Sequence, residues 1–183
     1  MKKMEIFPKS LAVFCSSYSN LLPAFEKAAE ELGRGLAKKG YKLVYGGTDC
    51  GLMGILAKAH LENGGHVTGV VPSFMIEMGL KSALNQEFVE VPDMANRKSE
   101  MAKLSGAFVI LPGGLGTLDE FFDILTLKQL KIHQKPIFIL NLEDFYNPLL
   151  EMLENCAKFG TIKKEYLSLF ISVRNVSEIL KIV

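Results

Sequence analysis

The sequence predicts a doubly wound α/β fold, in which a mainly parallel sheet lies between two layers of helices. Two observations lead to this fold class. Short apolar runs alternate along the chain with longer amphipathic runs, as in proteins built from βαβ units. Several of the short runs are apolar on both faces, as expected of strands that helices cover on each side. The length suits one sizeable core, so we expect a single domain over residues 1–183.

The spacing of the apolar residues, with a period of two in strands and about 3.6 in helices, predicts the individual elements. The predicted strands are residues 11–15, 42–45, 66–71, 87–91, 107–111, 136–140 and 170–173. The predicted helices are residues 23–39, 52–63, 94–104, 118–131, 148–158 and 176–182. Gly40 and Gly64 stand where glycine commonly ends a helix. Residues 73–84 fit neither period, which predicts a loop or a short helix over one edge of the sheet.

Composition excludes several classes of function. The 21 basic and 20 acidic residues nearly cancel, so net charge provides no general attraction to nucleic acid or to acidic membranes. The longest apolar runs are too short to span a bilayer. The first ten residues, MKKMEIFPKS, lack the apolar core of a signal peptide, and we expect no secretory signal.

The cysteines and histidines favour neither a disulfide framework nor a metal site. Cys15, Cys50 and Cys156 are few, scattered and odd in number, which predicts free thiols in a reducing cytoplasm. The three histidines do not cluster with them in the sequence, so no zinc pattern is visible and no metal site is predicted.

Three predicted strands end in turns of unusual composition. These turns are CSSYSN at residues 15–20, YGGTDCGLMG at residues 45–54 and LPGGLGTLDE at residues 111–120. In doubly wound sheets, ligands bind beyond the carboxyl ends of the strands, near the switch in strand order. The three turns are therefore expected to converge on one site.

The third turn is suited to binding an anion. It matches neither a P-loop nor the dinucleotide fingerprint, because it has no Gly-Lys-Ser/Thr and Asp119 stands at the last fingerprint position. Backbone N–H groups at a helix start nevertheless attract phosphate, and glycines allow close approach. This interpretation assigns the anion to Gly113, Gly114, Gly116 and Thr117. The alternative is structural, because Thr117 and Glu120 also have the spacing of a helix capping box.

Arg97 lies on an apolar helical stripe. Met94, Arg97, Met101 and Leu104 share one face of the predicted helix. An arginine there is costly to bury unless it meets an anion. The alternative is that Arg97 lies at the edge of the stripe and extends to water. Lys98, beside the stripe, is expected to be solvated.

These motifs together resemble the LONELY GUY (LOG) phosphoribohydrolases, a family often labelled possible lysine decarboxylases. The likeness rests on PGGLGT with Glu120, on YGG…GLMG and on the M-x-x-R-K pattern at residues 94–98. The resemblance implies a Rossmann-like fold and a homodimer or larger homo-oligomer. It also implies cleavage of the N-glycosidic bond of nucleoside 5′-monophosphates to free base and ribose 5-phosphate. Cytokinin ribotides and AMP are the typical substrates of the family.

The resemblance also assigns residues to roles. The catalytic arginine and glutamate of the family correspond to Arg97 and Glu120, and its phosphate cradle corresponds to Gly113, Gly114, Gly116 and Thr117. Lys98 and Thr126 match positions that line its substrate site. The predicted site is completed by Ser16, Gly46 and Gly47 of the neighbouring turns. Departures such as Thr126-Leu127, where the family has Thr-Trp, leave the preferred base open.

The predicted mechanism is hydrolysis without a cofactor. Glu120, with Asp119 as the weaker candidate, stabilises the oxocarbenium-like centre or activates water, and Arg97 orients Glu120 or contacts the nucleotide. Tyr18 and Lys98 are the candidate donors of a proton to the leaving base. The alternative function is that of a binding protein like the molybdenum-cofactor carriers, which hold a phosphorylated ligand without cleaving it. Lysine decarboxylation is disfavoured, because no lysine lies in a recognisable pyridoxal phosphate site.

Overall fold

The computed structural model describes residues 9–183. Residues 1–8, which make up most of the segment considered as a signal peptide, lie outside the described residues. Within residues 9–183, seven strands form one sheet. They are β1 (Ser10–Phe14), β2 (Lys42–Tyr45), β3 (His66–Pro72), β4 (Glu87–Val91), β5 (Ala107–Ile110), β6 (Ile137–Leu140) and β7 (Ile171–Val173). Every predicted strand is present.

The strands lie in the order β4-β3-β2-β1-β5-β6-β7, and each neighbouring pair is parallel. The chain winds outward from β1 to β4 and then crosses to the other side of β1 to form β5. The order of strands therefore switches between β1 and β5. This is the doubly wound arrangement that the sequence predicted.

Helices cover both faces of the sheet. They are α1 (Pro23–Lys38), α2 (Gly51–Glu62), α3 (Ser73–Glu77), α4 (Met94–Leu104), α5 (Leu115–Gln129), α6 (Asn147–Lys158) and α7 (Val176–Ile182). One apolar cluster lies under α1, α2 and α7, and a second lies under α4, α5 and α6.

The first strand shows how the sequence builds two cores. Leu11 and Val13 belong to the cluster under α1 and α2, whereas Ala12 and Phe14 belong to the cluster under α4 and α5. All four side chains are buried, and burying a large apolar side chain of this kind contributes about 1.5–3 kcal/mol. These positions of β1 are all apolar because helices cover both faces of the strand.

The helix ends match the predictions with one important exception. Gly40 and Gly64 follow α1 and α2 at φ angles of +71° and +78°, a region that favours glycine. Residues 73–84 contain the short helix α3, one of the two predicted alternatives. The exception is α5, which begins at Leu115 instead of residue 118. This shift of three residues changes the roles of Thr117 and Glu120.

Two further features agree with the composition. Cys15, Cys50 and Cys156 are all free thiols. Across residues 9–183, no helix combines the length and apolar character needed to cross a membrane.

Candidate active site

A cleft of about 400 Å³ opens beyond the carboxyl ends of β1 and β5. Its volume is in the usual range for small-molecule sites. Its wall consists of Val13, Phe14, Cys15, Ser16, Ser17, Tyr18, Gly46, Met53, Arg97, Gly114, Leu115, Gly116, Thr117 and Glu120. Residues that follow β1, β2 and β5 all contribute, so the predicted convergence of the three turns is confirmed.

The turn between β5 and α5 ends in an open helix start. Gly114 is the N-cap, and its carbonyl accepts the first helical hydrogen bond, from the Leu118 N–H at 3.0 Å. The N–H groups of Leu115, Gly116 and Thr117 therefore precede the helical hydrogen-bond ladder. Within residues 9–183, no side chain caps this helix. Such N–H groups carry partial positive charge and suit a phosphate.

The capping-box alternative for Thr117 and Glu120 is wrong. Thr117 is the third residue of α5 and not its N-cap, because Gly114 already holds that position. Glu120 lies in the second turn of the helix, and its Oε1 atom is 3.9 Å from Nη1 of Arg97. A Cβ atom on Gly113 would overlap with the Thr117 hydroxyl, so glycine is needed where Thr117 folds against the turn.

Arg97 and Glu120 form a buried pair of opposite charges. Their exposed fractions are 7% and 8%, so the alternative in which Arg97 extends to water is wrong. Asp93 sets the start of α4 by accepting a hydrogen bond from the Asn96 N–H at 2.8 Å. Arg97 follows in the first turn of α4 and crosses to α5. Its buried Nε atom has no hydrogen-bond partner among residues 9–183, which is uncommon for a buried donor in a folded protein.

Burial controls the protonation of the pair. Burial raises the pKa of Glu120 to about 7, although the Arg97 charge opposes the shift. Burial also lowers the pKa of Arg97, and Glu120 opposes that change. Arginine keeps its charge in proteins, so Glu120 is the member of the pair that titrates. A carboxyl group with this pKa can exchange a proton at neutral pH.

Gly46 leaves the space that the Arg97 guanidinium occupies. A Cβ atom at this position would overlap with Nη2 of Arg97. We expect Gly46→Ala to displace the guanidinium and, under the function proposed below, to lower kcat/KM by about 10- to 100-fold, because small misplacements at a reacting site have large effects. Steady-state kinetics, with the melting temperature as a check on folding, measure this effect. The added methyl should have little further effect in an Arg97→Met background; wild-type kinetics for Gly46→Ala would contradict the assignment.

The other predicted residues divide into three groups. Ser16, Gly46, Gly114, Gly116 and Thr117 line the cleft with Arg97 and Glu120. Gly47 and Gly113 lie in the same turns but not on the cleft wall. Lys98 and Thr126 are not brought to the wall either, and Thr126 is exposed on α5.

Lys98 instead joins α4 to α5. Its Nζ atom lies 2.9 Å from both carboxylate oxygens of Asp119 and 3.7 Å from Asp123. Only 17% of its side chain is exposed, so the expectation of a solvated lysine is wrong. The pair joins the residues that directly follow Arg97 and precede Glu120, and it therefore supports the approach of the two helices.

Sequence reasoning did not assign Cys15 and Met53 to the site, although both line the cleft. Cys15 is the first residue after β1, a position that could have indicated its place. Burial raises the pKa of its thiol, and the nearby Glu120 adds to this shift, so the thiol stays neutral at physiological pH. Met53 belongs to the GLMG stretch at the start of α2 and contributes an apolar wall.

Comparisons with known proteins agree with this geometry. A family model described as "Possible lysine decarboxylase" matches residues 53–183. A cytokinin riboside 5′-monophosphate phosphoribohydrolase of Rhodococcoides fascians is 42% identical over 158 residues, which are 85% of this chain and 79% of that protein. The chain belongs to the LONELY GUY family. A second member, a phosphoribohydrolase of Arabidopsis thaliana with the same substrate in its name, is 39% identical over 94% of this chain and 81% of that protein.

Solved structures extend the likeness beyond the LONELY GUY family. The molybdenum cofactor binding protein of Rippkaea orientalis superposes with a TM-score of 0.72 at 20% identity, over 94% of each chain. The carrier protein of Chlamydomonas reinhardtii gives the same score and identity over 96% of this chain and 95% of that one. At this identity the comparison establishes a shared Rossmann-like fold.

Proposed function

We propose that this protein hydrolyses the N-glycosidic bond of nucleoside 5′-monophosphates of the AMP or cytokinin ribotide type. The products are the free base and ribose 5-phosphate. The observation that carries the proposal is the placement of the buried Arg97–Glu120 pair and the open start of α5 in one cleft. One feature suits a phosphate and the other suits a developing positive charge, and a ribose connects such groups in the substrate.

In this proposal the turn before α5 binds the phosphate, and the Glu120 carboxylate takes part in the reaction at C1′. The N–H groups of Leu115, Gly116 and Thr117 bind the 5′-phosphate, which places the ribose toward Glu120. As the C1′–N bond breaks, its electron pair moves to the base and positive charge develops at C1′. The Glu120 carboxylate stabilises this charge and accepts a proton from the attacking water, whose oxygen bonds to C1′.

The departing base takes up a proton. Of the two donors considered from the sequence, Tyr18 lines the cleft, whereas Lys98 is paired with Asp119 away from its wall. We therefore favour Tyr18, or water that it orients. Arg97 keeps a positive charge beside Glu120, which favours the ionised carboxylate that the reaction needs.

A panel of nucleoside 5′-monophosphates tests the proposal and reports the preferred base at the same time. Purified protein is incubated with each nucleotide, and free base and ribose 5-phosphate are quantified by chromatography. We expect equal amounts of both products from at least one purine nucleotide, and no release from the matching nucleoside, which lacks the phosphate. Failure to release base from any member of the panel would overturn the proposed function.

The pH dependence follows from the raised pKa of Glu120. The reactive carboxylate of the free protein is ionised above its pKa of about 7, so kcat/KM should fall about tenfold per pH unit just below that value and level off above it. Because the second ionisation of a phosphate group lies near pH 6, the substrate is titrated separately and its ionisation is included when the profile is fitted. A flat kcat/KM profile across neutral pH would contradict this role for Glu120.

The likeness to the carrier fold favours a second candidate, a protein that binds a phosphorylated ligand without cleaving it. The same glycine turn would hold the phosphate of such a ligand. The buried pair of opposite charges argues for catalysis, because a carrier has no need to desolvate an arginine and a glutamate beside its ligand. Tight binding of a pterin phosphate, together with no base release, would favour the carrier.

We further propose that the protein works as a cytoplasmic homodimer or larger homo-oligomer. The support is an apolar surface on α5 and the residues after it, where Phe122, Leu130 and Ile132 are 41%, 61% and 66% exposed. Several exposed apolar side chains on one stretch of the chain are consistent with an interface. Light scattering on the purified protein gives the mass, and Ile132→Asp should shift it toward the monomer.

A further inference from the structure

Tyr146 contacts the residues just before the glycine turn and is not part of the cleft wall. It follows β6 and is 2% exposed. Its hydroxyl donates a hydrogen bond to the carbonyl oxygen of Leu111 at 2.7 Å, across 35 positions of the sequence. Neither the motifs nor the comparisons assign it a role.

Several contacts hold Tyr146 in place. The side-chain oxygen of Asn141 accepts a hydrogen bond from the Tyr146 N–H at 2.7 Å, and the Asn141 amide donates to Asn147 at 2.8 Å. The ring of Tyr146 packs edge-to-face against Phe145 at 4.9 Å between centroids. A residue held by its backbone, its ring and its hydroxyl can fix the segment that it contacts.

The segment that Tyr146 contacts has backbone carbonyl groups, which would repel an anion if they pointed into the site. Leu111 and Pro112 directly precede the glycines, and their carbonyl oxygens are negative ends of dipoles. The Leu111 carbonyl is bonded to Tyr146, and the Pro112 carbonyl accepts a hydrogen bond from the Ser16 N–H at 3.1 Å. With both carbonyls engaged by the protein, the N–H groups at the start of α5 remain available to a phosphate.

The pKa of the Tyr146 hydroxyl agrees with its role as a hydrogen-bond donor. Burial raises the pKa of Tyr146. The phenol remains a neutral hydroxyl, which can donate to the carbonyl.

We propose that Tyr146 is a positioning residue that sets the geometry of the phosphate-binding turn. It acts through its hydrogen bond to the Leu111 carbonyl, without touching the substrate. The inference rests on the proposed function, because it takes the turn to hold the 5′-phosphate. Loss of the hydroxyl should weaken the hold on the phosphate and leave contacts with the base and ribose unchanged.

The test compares Tyr146→Phe with Tyr45→Phe, each in a Glu120→Gln background so that the ligand is not consumed. Tyr45 is a matched control, because it is completely buried and its hydroxyl lacks a hydrogen-bond partner in the part of the chain that the structure describes. Calorimetry measures binding of AMP and of adenosine, which lacks the phosphate. Melting temperatures confirm that each variant folds.

We expect Tyr146→Phe to raise the Kd for AMP about tenfold and to leave the Kd for adenosine unchanged, whereas Tyr45→Phe changes neither. A general loss of structure would weaken both ligands alike. An unchanged Kd for AMP, or equal weakening of AMP and adenosine, would overturn the proposal. Because binding is measured without turnover, this outcome is separate from failure of the wild-type protein to release base.

Discussion

Glu120→Gln is expected to lower base release from a nucleoside 5′-monophosphate by at least about 1000-fold, because the amide can neither balance charge at C1′ nor accept a proton from water. The side chain keeps its size, and the turn proposed to hold the phosphate is untouched. AMP affinity should therefore stay within about threefold of wild type, since binding and chemistry use different groups. Single-turnover assays measure the first quantity and calorimetry measures the second.

Asp119→Asn is the matched control for this variant. Asp119 precedes Glu120 on the same helix, but 58% of its side chain is exposed and it pairs with Lys98. Because Lys98 still faces Asp123 at 3.7 Å in this variant, the link between α4 and α5 is kept, and activity should stay within about threefold of wild type. Full activity in Glu120→Gln would remove Glu120 from the mechanism. A large loss in Asp119→Asn, with Glu120→Gln active, would assign the role to Asp119.

Arg97→Met is expected to lower kcat/KM by at least about 100-fold, because the variant removes preorganised charge from a buried site. Without the guanidinium, the main opposition to the effect of burial is lost, and the pKa of Glu120 should rise further above its ordinary range. The pH profile of any remaining activity should therefore shift toward higher pH. Arg97→Lys retains a charge and should recover part of the activity, but not the shape of the guanidinium.

The same substitution should change stability in a way that depends on pH. The folded-state pKa of Glu120 lies above its ordinary value, so its contribution to the free energy of unfolding is full at low pH and is lost as pH rises through about 7. Arg97→Met should cost about 3 kcal/mol at alkaline pH, where the carboxylate would be buried without a partner, and less at acidic pH.

Adding Glu120→Gln to Arg97→Met should recover most of that stability at alkaline pH, because no unpaired buried charge remains. Urea unfolding of the wild type, both single variants and the double variant provides the complete cycle. A loss of stability in Arg97→Met that is equal at acidic and alkaline pH would show that packing, and not charge, is responsible.

The strands and the general place of the site could be predicted because local pattern determines both. An apolar run such as that of β1 has one stable location, between two helical layers. The glycine turns follow their strands directly, so the parallel sheet carries them to the same edge. The motif that contains Glu120 belongs to one of these turns, so its place on the cleft wall could be predicted for the same reason.

Other features depend on contacts between distant parts of the chain. Periodicity placed Arg97 on a helical face but could not show that α4 turns that face toward Glu120. The capping-box pattern is locally valid, yet Gly114 takes the N-cap position and α5 begins earlier. Tyr146 lies 35 positions from Leu111 and outside every motif, so only the folded structure reveals that they meet.

The open start of α5 has a consequence for the order of events after the bond breaks. In the proposed mechanism, its N–H groups bind a phosphate that is chemically the same in substrate, transition state and product. Binding of this kind lowers KM without raising kcat. Ribose 5-phosphate must therefore break the same contacts with these N–H groups before it dissociates. The free base, in contrast, is no longer covalently joined to the bound phosphate. Tight binding of the phosphate in the substrate therefore also predicts slow release of ribose 5-phosphate.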